Sequence, residues 1–265
     1  MTCSMPAGLA AASLPTFPLP KPPAPYWRKS CPMTEQQSQE KYRYRLVFAK
    51  QKQLKYIAHL DLMLAWERAL RRAGIPLAYS QGYNPRPKMQ AASGLPLGTT
   101  GRAEIIDIIT TAPLDPAGAL SRIRAALPAG IALHSIEAVP LKAPTLQHLV
   151  RQAEYTVTVE TDLPAAELER RIQNLLAADS VIQTRRRRQR EEQFDLRPLL
   201  HDLRLLDLSD GVARLFVRVT AGQYGNLRPQ DVLVALGLGE NWAEIDRTRL
   251  IFQEVRQSRS GQQRE

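Results

Sequence analysis

From residue 42 the chain alternates apolar and polar positions as YRYRLVFA, the period of two that a half-buried strand requires. The period then changes. In HLDLMLAWERALRRAG, residues 59–74, Met63, Trp66, Leu70 and Ala73 fall on one helical face, and Asp61, Arg68 and Arg72 point away. Gly74 stands where a helix ends, with Arg71 and Arg72 suited to the negative end of the helix dipole. IPLAYS reads as a short strand. KMQAASGLPLGTTGRAEIIDIIT reads as two strands about a turn, PLDPAGALSRIRAAL as a helix with Asp115 near its start, and IALHSIEAVP as a strand. The order β-α-β-β-α-β predicts a ferredoxin-like arrangement.

The same succession returns further on. AEYTVTVET alternates as a strand, and LPAAELERRIQNLLAAD carries Leu168, Ile172 and Leu175 in helical register. A strand, an excursion and a strand edge follow over VIQTRRRRQREEQFDLRPLLHDLRLLDL; then come the strand VARLFVRVT, the helix RPQDVLVALGL and the strand RTRLIFQEV. The expected fold is α+β: two ferredoxin-like halves with antiparallel sheets, residues 41–145 and 150–256. They are joined near KAPTLQHLV, residues 142–150, and flanked by a disordered leader, 1–40, and a disordered tail, 257–265.

Composition alters this picture at its N-terminal end. The first 32 residues hold eight of the 20 prolines, both cysteines (Cys3 and Cys31) and no acidic residue. Text such as LPTFPLPKPPAPYW stays extended and builds no core. It has neither the charged start nor the apolar run of a secretory signal, and too little Arg and Ser for a transit peptide. Met33 opens an ordinary-looking start, and translation is expected to begin there. From Met33 on there is no cysteine, hence no disulfide, no thiolate nucleophile and no cysteine ligand for zinc or an iron–sulfur cluster. A reducing, cytoplasmic setting is the expectation. No apolar run approaches the ~20 residues of a membrane span. The net charge is +10, and without the leader 33 basic residues still face 26 acidic ones, which favours polyanionic partners.

Three places carry candidate chemistry. His59 opens the first helix with Asp61 two residues on; it is either a general acid–base or a residue that caps the helix or packs on Trp66. SQGYNPRPK, residues 80–88, combines Gly82 with Asn84-Pro85 and Pro87, a stiff loop that displays Arg86 and Lys88 beside Tyr83. Such a loop suits a phosphate, or a base stacked on the ring, and equally a connection whose charges face water. TRRRRQREE places Arg185, Arg186, Arg187, Arg188 and Arg190 ahead of Glu191 and Glu192, as an RNA-backbone contact or a solvated hairpin tip. Asp195 and Arg197, in FDLRPLL, are expected to form a structural ion pair. The histidines show no metal-ligand spacing, so no metal and no cofactor are expected. GxSxG, HExxH, a Gly-rich phosphate loop and CxxxCxxC are all missing from the sequence.

The run KYRYRLVFAKQKQLKYIAHLDLMLAWERALRRAGIPLAYSQGYNPRPKMQAASGLPLG resembles the N-terminal signature of the radical SAM-linked protein family, a domain of unknown function (2344). FDLRPLL at Phe194 to Leu200 and the LRPQDVLVAL…RTRL marks between Leu227 and Leu250 are similar to its later blocks. The resemblance implies a radical SAM protein as partner and supplies no catalytic residue. This chain departs from it in the proline-rich leader and in lacking a fused radical SAM portion. Paired ferredoxin-like halves with a helix-borne His also resemble the CRISPR repeat-processing endoribonucleases, although GLGE at 237–240 is a poor substitute for their glycine-rich C-terminal loop. Three functions follow as expectations. The leading one is a non-catalytic accessory protein that binds RNA or a ribonucleoprotein for a separate radical SAM enzyme. The others are a metal-independent ribonuclease using His59 and a protein–protein adaptor. Oligomeric state is left open.

Overall fold

The computed structural model describes residues 40–187 and 190–253, so the leader, Arg188 and the tail at 257–265 lie outside the described residues. Strand β1 (Tyr42–Lys50) leads through a short 3-10 turn into helix α1 (His59–Arg72). Gly74 has φ +64, Ile75 N–H donates to Leu70 C=O, and Gly74 N–H donates to Arg71 C=O. This is the Schellman closure that a glycine beyond the last turn permits. IPLAYS makes only isolated bridges, Leu77 with Thr110 and Tyr79 with Pro87. Strands β2 (Met89–Ala91) and β3 (Thr99–Thr110), helix α2 (Pro116–Ala126) and strand β4 (Ile131–Val139) complete the first half. The Asp115 carboxylate caps α2 by accepting from the backbone N–H groups of Ala117 and Gly118.

The link contains one helical turn, α3 (Leu146–Leu149). The second half follows as β5 (Val150–Glu160), α4 (Ala165–Ala177), a hairpin of β6 (Ile182–Arg187) and β7 (Arg190–Asp195), β8 (Leu200–Ser209), β9 (Val212–Thr220), α5 (Pro229–Ala235) and β10 (Ala243–Phe252). In each half the fourth strand lies beside the first, the first beside the third and the third beside the second, all antiparallel. That is the ferredoxin-like order, and the fold is α+β as the sequence implies.

The two halves share a sheet, in the order β4-β1-β3-β10-β5-β9-β8. Strand β3 is long and β2 is short. β2 covers only Ile106–Ile108 of its outer edge, and β10 pairs in parallel with Thr99–Gly101 on the remainder. An edge that would otherwise stay open is thereby closed. One apolar cluster packs Leu46, Phe48 and Ile106 against Trp66 and Leu70 of α1 and Ile123 of α2. A second packs Tyr155, Val157 and Leu215 against Leu168 and Ile172 of α4 and Val232 of α5. Strand register and the Arg247–Glu104 contact put Phe48, Glu104, Arg247 and Tyr155 on the same side, so α1, α2, α4 and α5 pack on one face of the sheet.

At the seam, between the two clusters, the sheet is charged. Arg247 is 2 % exposed and grips Glu104 with two donors, the Nε–Oε1 contact measuring 2.8 Å. Its remaining donors reach the carbonyls of Ser93 and Gly94, so the ASGLPLG segment roofs the pair. Gly101 makes the space: a Cβ there would stand 2.8 Å from Glu104 Cγ. Lys50 is buried beside them and donates to the carbonyls of Lys55 and Ile57 at 3.1 and 3.3 Å. Burial pushes its ammonium pKa below the usual lysine range, while Glu104 opposes the shift.

Candidate nucleic-acid interface

The SQGYNPRPK segment closes on itself as a small hairpin. Ser80 N–H donates to Arg86 C=O at 2.8 Å, and Ser80 Oγ accepts from Arg86 N–H at 2.9 Å. Lys88 N–H donates to Ala78 C=O at 2.8 Å, and Ile109 N–H donates to Lys88 C=O at 3.0 Å, which fastens the hairpin base to β3. Gly82 takes φ +126 at the tip, a value that excludes other residues without strain. Tyr83 beside it is 99 % exposed. Arg86 and Lys88 are exposed, and their side chains have no partner among the described residues. The three predicted residues therefore share one backbone-pinned loop.

Beside the hairpin base, on the sheet face that carries Arg43 and Asp107, lies a cleft of about 300 Å³ that includes Lys88, Gln90, Arg43, Asp107, Leu141 and Thr145 in its lining. Arg43 donates to Asp107 from Nε (2.9 Å) and from a terminal nitrogen (2.6 Å), and to the carbonyls of Ala143 and Pro144. Arg45 donates to the same carboxylate at 2.9 and 3.1 Å. Two guanidinium groups thus share one buried carboxylate. Sequence reading missed this cluster. The arginines of YRYR read as the solvent side of β1, and Arg43 is buried because the 140–145 link crosses over it.

The arginine run forms the β6–β7 hairpin, whose backbone register sets Arg185 against Glu192, Arg186 against Glu191 and Arg187 against Arg190. Arg185 lies over the Phe194 ring at 4.3 Å and approaches Asp231 at 3.5 Å, so it is held within the fold. Asp195 and Arg197 do not form the expected ion pair. Asp195 Oδ1 accepts from the backbone N–H groups of Val181 (2.8 Å) and Arg197 (3.0 Å), and the Val181 bond foremost holds its pKa below the usual carboxylate range. The Arg197 guanidinium instead donates to the carbonyls of Leu176 and Leu200, tying the end of α4 to β8. The two residues meet through the Arg197 backbone N–H and not through its guanidinium.

His59 is the first residue of α1. It is exposed, and its ring has no hydrogen-bond partner among the described residues, so nothing there orients it as a base or caps the helix. Among the described residues no group of three or more His, Cys, Asp or Glu is arranged to hold a metal ion. No described helix is long and apolar enough to cross a membrane.

The model of a family of uncharacterized proteins conserved in bacteria (DUF2344) matches residues 43–229, and the chain belongs to that family. No curated protein matches. Among solved structures, the chain is similar to one in a Cbf5-Nop10-Gar1 complex at 15 % identity and TM-score 0.38, covering 71 % of this chain and 44 % of that one. An H/ACA ribonucleoprotein bound to a substrate RNA containing 2′-deoxyuridine gives 14 % identity and TM-score 0.38, over 72 % and 43 % of the two chains. The archaeal box H/ACA Nop10-Cbf5 complex gives 13 % and 0.39, over 74 % and 44 %. The chain spans less than half the length of each of these, and likenesses with TM-scores below 0.5 carry no functional argument.

Proposed function

We propose that this family member is a non-catalytic accessory protein that binds single-stranded RNA, alone or within a ribonucleoprotein, and acts in the cytoplasm beside a separate radical SAM enzyme. One observation carries the RNA part: a backbone-pinned hairpin offers an exposed Tyr83 ring on the same loop as the cations Arg86 and Lys88, which have no partner among the described residues. An exposed ring and two cations on one pinned loop suit a splayed base and its phosphates, because stacking and charge neutralisation need little further ordering of the loop. The net charge of +10 supports the same partner. The enzyme partner is supported by the sequence resemblance, and the reducing setting by the cysteine-free stretch after Met33.

A gel-shift titration of the full chain with single-stranded RNA at rising salt tests the reading. Each lost phosphate contact, by Arg86→Ala or Lys88→Ala, lowers the salt slope by about 0.7. Tyr83→Ala weakens binding by about 1–3 kcal/mol, the range for one stacked base. Salt-independent binding, or none, refutes it. Cleavage of end-labelled RNA in EDTA that disappears in His59→Ala would replace it with the nuclease reading. Co-purification of a radical SAM protein without nucleic acid would replace it with the adaptor reading.

A further inference from the structure

We infer that the cleft beside the SQGYNPRPK hairpin binds a nucleoside monophosphate unit, with the phosphate at Lys88 and the base against Leu141 and Ile109. The assignment deepens the RNA reading and rests on it for choosing a nucleotide over other phosphorylated compounds.

Charge comes first. Asp107 is the one carboxylate lining the cleft, and both Arg43 in the lining and the partly exposed Arg45 behind it bind that carboxylate, so the trio carries a net positive charge. Lys88 adds another at the rim, and its ammonium has no partner among the described residues. Glu137 faces Arg45 across the β1–β4 pair, exposed and in no ion pair among the described residues, so the surroundings stay net positive. A net positive lining favours an anion in the opening.

Donor supply points the same way. Register puts Gln90 beside Asp107 on the same face of the sheet. Thr145 occupies the N-cap position of α3, yet its side chain makes no capping bond. Neither the Gln90 amide nor the Thr145 hydroxyl has a partner among the described residues, and both line the cleft with Lys88. An ammonium, an amide and a hydroxyl around one opening suit the oxygens of a phosphate. The volume argues for more than a bare oxyanion, since about 300 Å³ is the lower end of small-ligand pockets. Leu141, half exposed, and Ile109 supply an apolar wall for a base.

The test uses the full chain and adenosine 5′-monophosphate, read by ligand NMR and by competition against a labelled oligoribonucleotide. The monophosphate is expected to bind more tightly than adenosine or inorganic phosphate. Lys88→Glu weakens it at least about tenfold, the loss of one charge-assisted contact, and Thr145→Val weakens it several-fold. Both side chains lie at the cleft rim, and matching melting curves verify folding. Displacement of the oligonucleotide by the monophosphate identifies a strand nucleotide as the natural occupant; Lys88-dependent binding without displacement identifies a free nucleotide. Monophosphate binding unchanged by Lys88→Glu, or absent while the oligonucleotide still binds, overturns the cleft assignment and leaves the RNA reading standing. Lys88-dependent monophosphate binding with no oligonucleotide binding does the reverse.

Discussion

Replacing Glu104 by Gln removes one charge from the seam and almost no volume. Arg247, 2 % exposed, then keeps its carbonyl contacts to Ser93 and Gly94 and loses its counter-ion, while Lys50, also buried, loses the carboxylate that opposes its desolvation. Removing one partner of a buried pair costs about 3–5 kcal/mol, because the survivor remains desolvated and unpaired. At a urea dependence of about 2 kcal/mol per molar, the unfolding midpoint falls by roughly 1.5–2.5 M. The double variant Glu104→Leu/Arg247→Met takes both charges out together and is expected to recover most of that loss. Urea titration of the wild type, both singles and the double, followed by far-ultraviolet circular dichroism, measures all four corners. A Glu104→Gln midpoint within about 0.5 M of wild type, or a double variant as unstable as the sum of the singles, would falsify the claim that Arg247 depends on Glu104 as its buried counter-ion.

Other expectations follow from the same contacts. Gly101→Ala sets a Cβ against the Glu104 side chain and is expected to cost about 1–3 kcal/mol, the range for overpacking a filled site, read as a midpoint shift. Arg185→Ala is expected to lower stability by about 0.5–1 kcal/mol through the lost Phe194 stack and to leave RNA affinity unchanged, whereas Arg86→Ala does the opposite; comparable affinity losses in both would return the arginine run to the interface. Asp195 has a folded pKa below its unfolded value of about 3.9. Its contribution is therefore complete above that value and is lost as pH falls through the lower folded pKa. Asp195→Asn is expected to flatten the fall of stability as pH drops below about 4, and an unaltered acid limb would contradict the assignment.

Local elements were legible because their causes are local. The apolar spacing of Met63, Trp66 and Leu70 and the stop at Gly74 are properties of adjacent residues, and helix α1 and its Schellman closure follow from them. The two β-α-β-β-α-β successions and the stiffness of SQGYNPRPK were readable for the same reason. Where strands join was not. Nothing within β3 or β10 announces that Thr99–Gly101 will pair with Ile245–Arg247, since that choice depends on β2 being too short to cover the edge. The Arg247–Glu104 pair spans 143 residues, and Arg43 reaches Ala143 across 100, so neither burial could be inferred from alternation along one strand. The arginine run shows the limit from the other side. Sequence presents five like charges together, whereas the fold lays Arg185 onto Phe194 and beside Asp231. Periodicity by itself determined the long helices and strands, though not IPLAYS or the turn α3; only tertiary structure decided which charges are neutralised inside, because neutralisation depends on neighbours that distant parts of the chain provide.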